Sequence, residues 1–161
     1  MDYNDLIERS ALGAAAGLVG TLAIQVMRTS NQKLLPETMP PIREDPGAFM
    51  VEQAEELLPE QAQYDIPDFA EAAAAKALAM GYGMTAGALL GALRSDEGNV
   101  VVDGVVLGLG TWAVGYLGWL PASGLMPPLT KQTPEQVLAV AVQHALFGIV
   151  TASIYQWLHN R

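Results

Sequence analysis

The chain has 161 residues, no cysteine, and 17 acidic residues against 8 basic ones, a net charge of −9. Without cysteine there is no disulfide, thiolate metal site or cysteine nucleophile, and without clustered Lys and Arg there is no patch for nucleic acid or an anionic lipid headgroup. Hydrophobic residues make up 51% of the chain, slightly above the globular norm, but they are gathered into four glycine- and alanine-rich stretches with the charges almost wholly between them.

The stretches run from about Ala11 to Met27, Ala72 to Leu93, Val100 to Leu120 and Val137 to Leu158. At about 1.5 Å rise per residue, helices of this length span or nearly span a hydrocarbon core of about 30 Å. The expected fold is all-α: a four-transmembrane-helix bundle, one membrane domain over residues 1–161, with an extramembrane loop over about residues 28–71. Its expected surroundings are the lipid bilayer, as a multi-pass protein.

Ahead of the first span, Asp2, Asp5 and Glu8 stand against Arg9 alone. A cleaved signal peptide has a cationic leader, so this helix is expected to remain in the mature protein. The span carries Gly13, Gly17 and Gly20, which leave one side nearly bare backbone, and Thr21 and Gln25 further on; Arg28 is expected to end it. The loop that follows is broken by Pro36, Pro40, Pro41 and Pro46. From Pro46 the pattern changes. Asp45 is placed to cap a helix with Pro46 at its first position, and Phe49, Met50, Ala54, Leu57 and Leu58 recur at helical spacing opposite Glu52, Glu55 and Glu56. This predicts a short amphipathic helix closed by Pro59, which either packs over the mouth of the bundle or docks a partner.

The second span carries Gly83, Gly87 and Gly91 at four-residue spacing, a glycine zipper down one helix face. Such a face packs by close backbone approach, within the chain or against another copy. A polar turn, Arg94 and Ser95 to Asn99, is expected to fold the second and third spans into an antiparallel hairpin. The third span holds Gly104 and Gly108 early, then Trp112, Tyr116 and Trp119 on one face, where Tyr116 and Trp119 read as an interfacial aromatic belt. Pro121 is expected to break it. Thr133 is placed to cap the fourth span, which ends in Tyr155 and Trp157. The sequence Gly17-Leu-Val-Gly20-Thr21 is echoed by Gly108-Leu-Gly110-Thr111 with a one-residue gap, which suggests a two-plus-two parallel repeat.

The order of Met27-Arg28, Leu35-Pro36, Met39-Pro40-Pro41, Gly118-Trp119-Leu120-Pro121, Gly124-Leu125-Met126-Pro127-Pro128 and His144-Ala145-Leu146-Phe147-Gly148 resembles the YagU-like family of bacterial inner-membrane proteins. The resemblance covers most of the chain and implies a four-helix inner-membrane protein of a largely uncharacterised family, with a loose link to acid tolerance. Members tend to place a histidine four residues before a glycine in the second helix as well as the fourth. Here His144 precedes Gly148, but Ala79 precedes Gly83.

His144 is the intramembrane ionisable group, with Gln143 beside it. It reads either as a neutral histidine bonded to a backbone carbonyl, Thr21, Gln25 or Thr111, or as a proton relay or ligand contact. A lone histidine is too small a donor set for a metal or haem. Asp103 sits near the positive end of its helix dipole and Lys76 in the first turns of its helix, and neither needs a functional role. Gly81-Tyr82-Gly83 lacks the rest of a dinucleotide fingerprint, and there is no nucleophile motif, phosphate loop or central carboxylate pair. An enzyme, a cofactor and a metal are therefore not expected. Arg9, Arg94 and Arg161 fall on the side of the termini and Arg28, Lys33, Arg43 and Lys131 opposite. The family likeness and the readily translocated acidic loop place the termini in the cytoplasm.

Two functions follow from this reading. The first is a non-enzymatic structural or accessory subunit, packed through Gly13, Gly17, Gly20, Gly83, Gly87, Gly91, Gly104 and Gly108, that engages other membrane proteins or copies of itself. The alternative is a small transporter or channel component, proton-linked through His144, with Gln143, Thr21 and Gln25 along the path.

Overall fold

The structure, a computed structural model, describes residues 2–59, 67–95 and 97–161. Among these are five helices: α1 (Tyr3–Leu34), α2 (Pro46–Glu55), α3 (Asp68–Leu93), α4 (Val100–Ala122) and α5 (Pro134–His159). Residues 60–66 of the expected loop and residue 96 of the expected turn lie outside the described residues.

The helix starts follow local chemistry. Asp45 accepts from the amides of Gly47 (2.9 Å) and Ala48 (3.2 Å) with Pro46 at the first position, as anticipated. Thr133 caps α5, and Gln136 closes the reciprocal capping box. Asp2 caps α1 and Asn99 caps α4 through its side-chain oxygen.

Two boundaries differ from expectation. Arg28 does not end α1, which continues to Leu34. Thr29 and Ser30 satisfy their hydroxyls on the carbonyls of Gln25 and Val26 one turn back, so the polar residues extend the helix. At 32 residues α1 is about 48 Å long, so its ends stand beyond a bilayer core. Pro121 likewise does not break α4 on the spot. It follows a π-helical stretch, Ala113–Trp119, in which the regular ladder is already interrupted, and the helix ends at Ala122.

Three of these helices, α1, α4 and α5, are long and apolar enough to cross a membrane. The fourth expected span, α3, has the length at 26 residues but is not among them. Alanine and glycine bring little apolar weight, and Lys76 lies in its first half. On the outside of the spans Val106, Val114 and Leu138 are each more than half exposed. An outward apolar surface on this scale suits lipid rather than water.

The packing order is not the sequence order. α1 lies between α3 and α5, and α5 lies against α4, each helix antiparallel to its packed neighbour. The α3–α4 connection is short, yet these two helices barely touch, so the expected hairpin is one of connection and not of packing. Glycine lies on the faces of α3 and α4 that meet α1 and α5, while Leu89, Val106 and Leu107 stand beside Ala86 and Gly110 on the open side between them.

At the end opposite the termini, Tyr116, Leu120, Leu125, Met126 and Val140 form a buried cluster, with Ile42, Phe49, Trp112 and Trp119 packed on it. Tyr116 is 2% exposed, so it belongs to this cap and not to an aromatic belt. Its hydroxyl donates to Oε1 of Gln132, whose Nε2 donates to the Pro127 carbonyl (2.7 Å). The two loops at this end are joined by the Arg43 amide donating to the Leu125 carbonyl (3.0 Å).

α2 packs on this end, with Gly47 against the backbone of Ala75 and Phe49 on the buried cluster, whereas Met50, Leu57 and Leu58 stay exposed. Partial burial first, then the carboxylates of Glu71 and Glu52, push the Glu55 carboxyl above its ordinary value of 4.5. An acid with a raised pKa binds its proton more tightly when docked than when free. Docking of α2 is therefore tightest below the ordinary value and weakens as pH rises through the raised one. Protection factors of the α2 amides, corrected for the intrinsic exchange rate, should be higher at pH 4.5 than at pH 7, and Glu55→Gln should flatten the difference; an unchanged profile would show that Glu55 is solvated in both states.

Candidate functional site: glycine interfaces and buried polar groups

The α1–α3 interface is a register of facing residues at four-residue intervals, Arg9 with Gly91, Gly13 with Gly87 and Gly17 with Gly83. A Cβ on Gly13 or Gly17 would overlap the carbonyl oxygen of its partner glycine, and one on Gly87 would overlap that of Gly13. The two backbones are in direct contact, which is the arrangement that small residues permit where lipid removes any hydrophobic drive between helices. Thr21 extends the row. It is 6% exposed, donates to the Gly17 carbonyl (2.9 Å), and occupies the space a side chain on Gly83 would need.

The α4–α5 interface repeats the device. Gly104 faces Gly148 and Ile149, and Gly108 faces the backbone of His144 and Ala145. A Cβ on Gly104 would stand 2.5 Å from the Ile149 Cα. Between the two pairs, Gly20 of α1 meets Thr151 and Phe147 of α5, and Ala16 and Ala152 are fully buried. Gly13, Gly17, Gly20, Gly83, Gly87, Gly91, Gly104 and Gly108 each face a neighbour's backbone or side chain.

Near the termini the same register brings charge inside. Arg9 is 8% exposed; its Nε donates to the Gly91 carbonyl (3.1 Å) and its guanidinium also to the Arg94 carbonyl. These carbonyls lie at the end of α3, where helix carbonyls lack intrahelical donors and a cation is favoured. The buried Tyr155 hydroxyl shares the Gly91 carbonyl (3.4 Å). Arg94 pairs through Nε with Asp103 (2.7 Å), donates to the Gly98 carbonyl (2.9 Å), and sits 5.8 Å over the Tyr155 ring. Asp103 is thus more than a carboxylate at a helix start: it is the counter-ion of a buried arginine. The spacing of Arg9 from Gly13 and Gly17 on one face was the available signal for Arg9; nothing in the spacing alone selected Asp103.

The four polar residues considered as a path are not joined by hydrogen bonds among the described residues. His144 bonds through Nδ1 to the Val140 carbonyl of its own helix (2.9 Å). Thr21 faces α3, and Gln25 is exposed on the outer face of α1 beside Leu22, Val26 and Thr29. Gln143 is 5% exposed, and its Nε2 has no hydrogen-bond partner among the described residues. A buried unpaired amide donor costs about 1–3 kcal/mol. Gln143→Leu is therefore expected to raise the thermal unfolding midpoint in detergent; a lowered midpoint would mean that the amide is bonded in the folded protein.

Among the described residues no group of His, Asp and Glu side chains is arranged to hold a metal ion. The sequence matches no family model, and no curated protein or solved structure is similar to it.

Proposed function

We propose that the chain is a four-span membrane protein, with α3 as the additional span, that serves as a structural or accessory subunit of a membrane complex and catalyses no reaction. The observation that carries this reading is the backbone-to-backbone packing of both glycine interfaces. A helix zipped to a spanning neighbour over Gly83, Gly87 and Gly91 lies alongside it at the same depth. Interfaces this close leave no room between their helices for a path, so the surfaces through which the protein acts are its outer faces and its α2-bearing end. Its place in the inner membrane of a bacterium belongs to the same proposal, supported by the likeness of its motif order to the YagU-like family.

The test is affinity isolation in mild detergent at native expression, followed by intact-mass measurement. A stoichiometric larger complex is the expected result. Recovery of the chain alone would overturn the accessory role. The unpaired Nε2 of Gln143 favours a second reading, a small transporter component working past Gln143 and His144. Proton flux in liposomes that is lost in His144→Ala would support it, and equal flux in both proteins would remove it.

A further inference from the structure

The eight Lys and Arg side chains are shared unevenly between the two ends of the bundle, and burial widens the difference. Around the α3–α4 connection, Arg9 (8% exposed) and Arg94 (7%) are withdrawn into the packing, Arg9 on the carbonyls of Gly91 and Arg94, and Arg94 on Asp103. Of the cations at this end only Arg161 is exposed, with its guanidinium 3.6 Å over the Trp157 ring. At the α2-bearing end Arg28, Lys33, Arg43, Lys76 and Lys131 are all exposed.

The helical rise sets these groups at the two edges of one hydrocarbon core. Arg9 and Arg28 are about 28 Å apart along α1, and Lys76 and Arg94 about 27 Å apart along α3, against a core of about 30 Å. Arg9 faces Gly91, one turn before Arg94, so the two antiparallel helices are bracketed at matching depths.

We infer that the chain is inserted with its α2-bearing end in the cytoplasm and its α3–α4 connection on the opposite face, the reverse of the orientation expected from the sequence. This orientation rests on the four-span reading, in which α3 crosses the membrane beside α1. Cations in short connections, within about 15–20 residues of a span's end, are retained in the cytoplasm, and carboxylates count for little. The connection over residues 35–67 is well under the length of about 60 residues beyond which charge ceases to matter, so its acidic residues do not carry it across. The first span usually dominates, and α1 has Arg9 at one edge against Arg28, Lys33 and Arg43 at the other. Arg9 and Arg94 have partners inside the closed bundle, so they set little against the five exposed cations. The face that carries α2, with Met50 and Leu57 exposed on it, is then offered to cytoplasmic partners.

The chain has no cysteine, so a single introduced thiol reports one position. Leu57→Cys marks α2 and Ser95→Cys marks the α3–α4 connection, and both positions are exposed. The measurement is reaction with a membrane-impermeant maleimide in bacterial spheroplasts, before and after lysis. The expected result is at least tenfold more labelling of Ser95→Cys than of Leu57→Cys before lysis, and equal labelling after it. The reverse pattern, or half of each population labelled, overturns the orientation and leaves the four spans intact. Complete labelling of both before lysis, or of neither, puts the two positions on one face and refutes the four-span reading itself. Replacing Arg28→Gln, Lys33→Gln and Arg43→Gln together tests the cause: the tenfold ratio should fall to threefold or less, and an unchanged ratio overturns the inference.

Discussion

Gly17→Leu is expected to abolish assembly of the helix bundle. Even a methyl group at Gly17 would overlap the Gly83 carbonyl, and a leucine would have to push α1 and α3 apart along the whole register from Arg9 to Thr21. Overpacking a core usually costs about 1–3 kcal/mol because flexible side chains yield. Here the opposing atoms are backbone, so the cost is well above that range and the Arg9 bonds to the end of α3 are lost with it. The readout is the fraction of chain that survives mild proteolysis in detergent, which should fall to near zero. Gly81→Ala is the matched control. A Cβ there meets nothing within 4 Å, and alanine favours the helix by about 1 kcal/mol, so protection should hold or rise. Normal protection in Gly17→Leu would mean that α1 and α3 are not in backbone contact.

Asp103→Ala is expected to destabilise the protein by about 3–5 kcal/mol, the range for stranding one partner of a buried ion pair. The Arg94 side chain is 3% exposed and, among the described residues, would be left with the Gly98 carbonyl and the Tyr155 ring. Removing both charges in Arg94→Met/Asp103→Leu should recover most of the loss, because an apolar pair has no desolvation penalty to offset. The double-mutant cycle isolates the pair energy, and its readout is the denaturation midpoint in mixed micelles. A loss below about 1 kcal/mol for Asp103→Ala would place the pair in the class of solvated surface bridges.

The helices and their beginnings were legible because they follow from local chemistry. Asp45 and Thr133 are capping residues beside proline, and the four-residue glycine spacings of α1, α3 and α4 mark their packing faces whatever those faces meet. What the sequence did not disclose is which faces meet. Adjacency along the chain suggested α3 with α4, whereas glycine opposite backbone joins α3 to α1 and α4 to α5. The extension of α1 past Arg28 was hidden because Thr29 and Ser30 weaken helices on average, and here they bond one turn back instead. Tyr116 has the composition of a belt residue. Only the return of the loops over the end of α4, with Gln132 reaching its hydroxyl, turns it inward. Of the polar residues, the sequence marks His144 and Gln143 but not their bonding, which depends on the fold around them.

The separation of α1 from its partner has a consequence in time. Gly108 and His144 leave the ribosome close together, so α4 and α5 can pair soon after both are made. Gly17 waits for Gly83, about 66 residues later, or about 3–13 s at ordinary synthesis rates. Throughout that interval α1 presents a bare strip of backbone whose α3 partner is not yet made. Of the long helices, α1 is therefore the one most dependent on whatever escorts nascent helices. Slowing synthesis across the connection between α1 and α3 should harm it more than slowing synthesis anywhere else.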